Sequence, residues 1–252
     1  MSVKQSIVTT DAIVIRSMEY GESSRIATLF TVDFGKMAVL ARGSRNPKSK
    51  FGSTLEVLSY IESVIYVKPS RDLQSISEAS FIRSFPSIRE SLEDIETGLR
   101  MMELTNAFMQ DGDPNREVFS LLVSTLTALG TSTQNRRNIL PYFQIQIAAI
   151  LGFAPGFDKG DLENLSGMFG ALELESGVIG DESMPGHRAS RSALRAFAIL
   201  ARASLSNVLH MTLNDTERRE VEELVSAYLK YHFEEAYPHK SERVFARLGR
   251  PF

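Results

Sequence analysis

Between Ser6 and about Phe81, apolar and polar residues alternate with a period close to two, and β-branched residues are abundant. SIVTTDAIVIRS, RIATLFTV, KMAVLARG, EVLSYIESVIYVK and LQSISEASFI read as strands. Between them lie EYGESS, DFG, a basic loop over residues 41–52, and PSRD, all rich in turn-forming residues. Several runs alternate only in part, as strands do when they bury one face and curl. Short strands in so small a space, without a long helical stretch, predict a sheet closed on itself, because closure removes exposed edges.

After Phe85-Pro86 the period moves toward 3.6. Ile88, Leu92, Ile95, Leu99, Met102 and Phe108 fall at helical spacing with charged residues between them. DGDP ends that helix, and Asp113 with Pro114 can open the next, over Arg116 to Leu129. NILPYFQIQIAAIL, 138–151, is the most apolar helix, with Pro141 in its first turn, where a missing N–H costs little. Residues 152–188 hold eight of the sixteen glycines and two prolines, and read as short strands joined by turns or as a loose insert. Helical periodicity returns in SRSALRAFAILARASLSNVL and DTERREVEELVSAYLKYHFEEAY, the latter opened by Asp215 or Thr216. The expected architecture is α+β: a barrel over 1–82 and a helical domain over 83–252 carrying the 152–188 insert.

Composition narrows this picture. The chain has 252 residues, 43% of them hydrophobic, enough for a real core. It contains no cysteine, which excludes disulfides and thiolate metal sites and fits a reducing cytoplasm. No apolar run approaches the roughly 20 residues of a membrane helix, and the alternating N-terminus lacks the form of a signal peptide.

Charge is distributed unevenly. The formal net charge is −3, yet Lys36, Arg42, Arg45, Lys48 and Lys50 follow one another with no acid between Asp33 and Glu56. Like charges in one loop repel unless a partner neutralises them, so the loop predicts a polyanion site. Arg16 and Arg25, on neighbouring strands, extend it, and Tyr20, Phe34 and Phe51 flank the turns as possible stacking surfaces. The alternative is a solvated turn with core aromatics.

Catalytic patterns are missing from the sequence. It has neither a GxxxxGK[ST] phosphate loop nor GxGxxG, and His187, His210, His232 and His239 are far apart. Glu93, Asp94 and Glu96 read as a solvated helix face, as do Glu222-Glu223 and Glu234-Glu235. Ser23, Ser24 and Ser190 have no base at a defensible spacing. The expectation is a protein that is not an enzyme.

DAIVIRSMEYGESSRIATLFTVDFGKMAVLARGSRNPKSK resembles the opening of the bacterial DNA repair protein RecO family. The shared frame is a first strand ending in Arg, then Y-x-E-S, a strand ending in F-T, x-x-x-G-K and a basic A-x-G-x-R-x-x-x-S loop. PYFQIQIAAILGFAP resembles the family's helix ending in L-G-x-x-P, and YLKYHFEEAYPHKS its Y-L-x-x-H with a Lys-Ser ending, so the likeness covers nearly the whole chain.

The resemblance implies an N-terminal oligonucleotide-binding (OB) barrel and a helical domain in a cytoplasmic, nucleoid-associated protein. It implies binding to single- and double-stranded DNA, annealing of complementary strands, and help in loading RecA together with RecR. It further implies docking on the C-terminal tail of single-stranded DNA-binding protein, without ATP or another cofactor. Many members hold zinc with two C-x-x-C pairs. The equivalents here are Gly160 with Glu163 and Gly180 with Ser183. Asp158, Asp161, Glu163, Asp181 and Glu182 are hard oxygen donors unsuited to structural zinc, so a degenerate, zinc-less insert is expected.

The DNA-binding residues expected on this basis are Arg16, Arg25, Lys36, Arg42, Arg45, Lys48 and Lys50, holding the phosphate backbone without reading sequence. An acidic, aromatic-ended tail needs an apolar pocket rimmed by cations, for which Arg136, Arg137, Tyr142 and Phe143 are candidates. Two alternatives are an adaptor whose basic loop binds an acidic protein segment and a metal-dependent nuclease.

Overall fold

The computed structural model describes residues 6–163, 165 and 167–238, which form two compact units divided between Gly130 and Thr131. In the first, β1 (Ser6–Tyr20), β2 (Ser24–Thr31), β3 (Gly35–Ala41), β4 (Tyr60–Val67) and β5 (Leu73–Arg83) close a barrel in the order β1-β2-β3-β5-β4. The long β1 makes closure possible. Its first half pairs with β4 and its second half with β2, both antiparallel. A register shift between Val14 and Arg16 lets the strand bend between these partners. The ring is completed by a short parallel pairing, Ala38 with Leu73 to Leu40 with Ser75.

Alternation fills the interior. Ala12, Val14, Ala27, Leu29, Val39, Ala41, Ile61, Ile65 and Ile76 make the core, together with Phe51 and Leu55 from the β3–β4 connection. That connection differs from expectation. EVLSYIESVIYVK does not run as one strand: β4 begins only at Tyr60, and residues 51–59 fold inward as turns. The Thr54 N–H and hydroxyl both donate to the Phe51 carbonyl (2.9 and 2.6 Å), and the Leu58 N–H donates to the Val14 carbonyl (3.1 Å). Phe51 is 3% exposed, so it is a plug in the core and not a stacking surface. Burying such a ring contributes about 1.5–3 kcal/mol.

Two helices complete this unit. Ser91 caps α1 (Leu92–Phe108) by accepting from the Asp94 N–H at 3.3 Å. Of the acids expected on the solvated face of α1, Glu93 is exposed whereas Asp94 is buried. α2 (Arg116–Thr131) lays Phe119 against Phe30 and Tyr60, with ring centroids 6.0 Å apart in each pair. The period changes at the end of β5, but the compact units divide later, between Gly130 and Thr131. The reason is that α1 and α2 pack on the barrel.

The second unit is centred on α3 (Ile139–Ile150), which buries Ile139, Phe143, Ile145, Ile147 and Ala148. Around it lie α5 (Arg191–Arg202), α6 (Leu205–His210) and α7 (Asp215–His232). Gln146 Nε2 donates to the carbonyls of Leu200 (2.9 Å) and Ala201 (3.0 Å), satisfying the end of α5. α7 is opened by Asn214, not by Asp215 or Thr216. Asn214 Oδ1 accepts from the N–H of Thr216 and Glu217, and Glu217 reaches back to the Asn214 N–H in a capping box. The glycine-rich segment is structured: α4 (Lys159–Glu163), then β6 (Phe169–Leu172), β7 (Ile179–Asp181) and β8 (His187–Ser190), an antiparallel sheet in the order β7-β6-β8. Gly177 has φ +71°, and a Cβ there would lie 2.6 Å from Pro155 Cα, so the turn requires glycine. His239 and the Lys-Ser ending at 240–241 fall outside the described residues.

Candidate nucleic-acid interface

The basic loop leaves β3 at Arg42 and is held by its own backbone. The Arg45 N–H donates to the Ser23 carbonyl (2.9 Å), that of Asn46 to Gly43 (3.1 Å), and that of Ser49 to Asn46 (2.9 Å). Pro47 fixes φ within the second turn. The Phe51 N–H then donates to Ser49 Oγ (3.2 Å), where the chain turns into the core. The loop is therefore anchored at both ends, with its charged residues outward. Arg42, Lys48 and Lys50 are exposed, as is Arg16 on β1. Lys50 Nζ lies 5.7 Å from the Phe51 ring centroid, a contact that orders its stem.

The remaining expected cations have protein partners. Arg45 pairs with Glu19 at 2.9 Å and donates to the Gly21 carbonyl at 3.1 Å, pinning the loop to the β1–β2 turn. Arg25, half-buried, donates to Ser17 Oγ at 3.2 Å. Lys36 is the most committed: its side chain is 15% exposed, it donates to the Asn106 carbonyl at 2.9 Å, and it pairs with Asp111 at 3.2 Å. A phosphate would have to displace both. Among the aromatics, Tyr20 is exposed and Phe34 half-buried. Tyr60, on β4 against Phe119, has its hydroxyl pushed up to about 12 by burial and a hydrogen bond to Asp11 (3.0 Å).

Of the four residues expected to receive a partner tail, Phe143 is fully buried in the core of the second unit and presents no surface. It lies within α3, an apolar helix that buries residues from each turn in that core. Arg136 and Arg137 lie in the short 3₁₀ turn that precedes α3, and Tyr142 is half-buried, with its hydroxyl pushed up by burial. Neighbouring Asn138, passed over in the sequence, is wholly buried. Its Nδ2 donates to the carbonyls of Val208 (2.9 Å) and Met211 (2.8 Å), and its Oδ1 accepts from Arg218 (3.1 Å).

The glycine-rich sheet does not fit zinc. Asp158 and Asp161 accept from each other's backbone N–H (3.0 and 2.8 Å), Asp181 accepts from the Ser183 N–H and hydroxyl, and Glu182 pairs with Arg188. The carboxylates thus close turns. Gly160 and Gly180 bring no donor, and no cluster of three or more metal-ligating side chains occurs among the described residues. No helix among them is long and apolar enough to cross a membrane.

Barrel order, parallel β3–β5 closure and antiparallel remaining pairs define an OB-type barrel, here combined with a helical unit. Residues 1–85 match the family model described as Recombination protein O N terminal, and residues 89–243 match Recombination protein O C terminal. The chain belongs to the RecO family. It is 46% identical to the DNA repair protein RecO of Salinibacter ruber, over 97% of this chain and 95% of that protein. It is 30% identical to the DNA repair protein RecO of Chloroherpeton thalassium, over 95% and 98%.

Proposed function

We propose that this protein is a mediator of DNA repair and recombination that holds DNA by its phosphates and catalyses no bond chemistry. The observation that carries this reading is the ordered basic loop. Arg42, Lys48 and Lys50 stand exposed on a segment that backbone hydrogen bonds fix to an OB barrel, next to exposed Arg16. Fixed cations bind a polyanion with less ordering cost than a flexible tail does. Arg25 and Arg45 are secondary contacts, and Lys36 fastens the unit.

Cations on a barrel neutralise the backbones of single and double strands alike. Two strands held together repel less, and complementary bases meet more often, which is strand annealing without ATP or another cofactor. Family membership supports the wider assignment: in the cytoplasm the protein works with RecR to help load RecA onto DNA coated with single-stranded DNA-binding protein. Arg136, Arg137 and Tyr142 are the residues proposed to receive that protein's acidic tail.

The test is a salt series of DNA binding, coupled to a strand-annealing assay. Four exposed cations predict a log-affinity slope near −2.8 on single strands, at about −0.7 per contact. An Arg42→Ala/Lys48→Ala/Lys50→Ala variant should lose about 2 of that slope and fail to anneal, with its fold intact by circular dichroism. Wild-type binding and annealing by that variant would refute the loop's role. Binding to acidic peptides alone would make the protein an adaptor.

A further inference from the structure

One acid stands among the cations of the proposed DNA site. Glu19, near the end of β1, is directly opposite Arg25 on β2, on the face that Ala27 turns into the core two residues further along. The pair therefore lies at one mouth of the barrel. Arg25 donates to Ser17 Oγ (3.2 Å), and the Glu19 carboxylate goes instead to Arg45, with Oε2 2.9 Å from Nη2. The same guanidinium donates through Nη1 to the Gly21 carbonyl (3.1 Å), and the Arg45 N–H donates to the Ser23 carbonyl (2.9 Å). Arg45 is thus spread across the β1–β2 turn, with its side chain only 32% exposed. Arg42, Lys48 and Lys50 of the same loop stand exposed, so Arg45 is the loop cation already matched to a carboxylate.

We propose that Glu19 is an internal stand-in for phosphate, an autoinhibitory contact that withholds Arg45 from DNA and so limits how tightly the basic loop binds. The inference rests on the DNA-binding reading above and adds a restraint to it. Carboxylate and phosphate present the same kind of paired acceptor oxygens to a guanidinium, so the Nη2 donor that serves Glu19 is lost to a phosphate. The carboxylate has the advantage of being tethered: its strand and the loop are joined by two backbone-carbonyl contacts, which give it a high effective concentration at Arg45. Its grip is nevertheless modest. The Glu19 side chain is 64% exposed, and an exposed pair shifts an equilibrium by at most about fivefold. That suits a protein that brings strands together and must then let the duplex go, because a further phosphate contact acts chiefly by slowing release. A structural pin would need no charge at position 19, since the Gly21 and Ser23 carbonyls already hold Arg45 to the turn.

The experiment is a double-mutant cycle on the full chain, read by anisotropy titration of oligo(dT) across a salt series. Glu19→Gln should release Arg45 as one more contact and steepen the log-affinity slope by about 0.7, which is about fivefold tighter binding at 0.1 M salt. Arg45→Gln alone should keep the wild-type slope, because its charge is already spent on Glu19. Glu19→Gln/Arg45→Gln should return to the wild-type slope, and that coupling is the signature of the contact. Glu22→Gln removes an equal charge from the same turn without freeing a guanidinium and should leave the slope unchanged. Circular dichroism checks that each variant is folded. Wild-type affinity and slope in Glu19→Gln would overturn the proposal, as would weaker binding, which would make the pair a support for the loop. A slope lowered by Arg45→Gln alone, or steepened equally by Glu22→Gln, would overturn it too. In each of those cases salt-dependent binding by wild type leaves the phosphate reading standing. If wild type does not bind oligo(dT), the DNA-binding reading fails, and the autoinhibitory contact falls with it.

Discussion

Lys36 separates a cation that fastens the fold from one that awaits a ligand. Its ammonium donates to the Asn106 carbonyl at the end of α1 (2.9 Å), and the Gly112 N–H donates to its own carbonyl (2.9 Å). Lys36→Met keeps the stem and removes the charge and donor. Its pairing with Asp111 contributes little, because that carboxylate is 84% exposed and screened. A hydrogen bond from a charged, mostly buried donor contributes about 1.5–3 kcal/mol. The expected destabilisation is therefore about 2 kcal/mol, or about 4–8 °C in Tm for a chain of this size. Calorimetry measures that loss, and a salt series on the same protein measures the DNA contact. Lys36→Met should keep the wild-type salt slope, whereas Lys48→Met should keep the wild-type Tm and lose about 0.7 of the slope. Wild-type Tm with a slope reduced by about 0.7 in Lys36→Met would refute the distinction.

Three further outcomes follow from the geometry. Gly35 has φ +65°, and a Cβ there would lie 2.3 Å from the Asp113 carbonyl oxygen, whereas Gly21 has φ +57° and open space. Gly35→Ala should then cost about 3 kcal/mol and Gly21→Ala about 1 kcal/mol in denaturant unfolding, the difference being the clash added to left-handed strain. Asn138→Ala leaves the Val208 and Met211 carbonyls without their donor and should cost about 3 kcal/mol by the same assay. Burial lowers the pKa of His232, which sits among Phe153, Tyr228 and Tyr231, although the Leu174 backbone and the carboxylates of Glu173 and Glu175 oppose the shift. Because the folded state disfavours the protonated ring, this contribution is present above the unfolded value near 6.5 and is lost as pH falls through the lower folded value. His232→Phe should therefore lose less stability than wild type between pH 7 and pH 5.

Local structure is legible in the sequence where near neighbours decide the outcome. Alternation from Ser6 to Phe81 marks the strands because a residue's face depends only on its parity, although the run from Glu56 turns before β4 begins at Tyr60, and Pro141 acts within a single turn. Long-range partners were not legible. Lys36 reads as a free cation until its Asn106 partner, far along the chain, is seen beside it. Asn138 reads only as the first residue of an apolar helix until Val208 and Met211 close on it. The spacing of Phe51, Leu55 and Leu58 (i, i+4, i+7) did mark a buried face within the loop, but Gly52 and Ser53 obscured it. Asn214 and Glu217 have capping-box spacing, masked by two further cap-type residues between them.

β5 lies between β3 and β4 in the ring, although it is made last. In a chain emerging from the ribosome, β3 therefore exposes an open edge until Leu73–Ser75 arrive to pair with it. Open edges recruit strands from other chains, and positive charge alongside them is one way proteins keep copies apart. The segment that follows β3 directly carries Arg42, Arg45, Lys48 and Lys50. The same charges proposed to hold phosphate in the finished molecule thus guard the unfinished one against aggregation. Neutralising them all would lower the yield of soluble protein during synthesis even where the completed barrel is as stable as before.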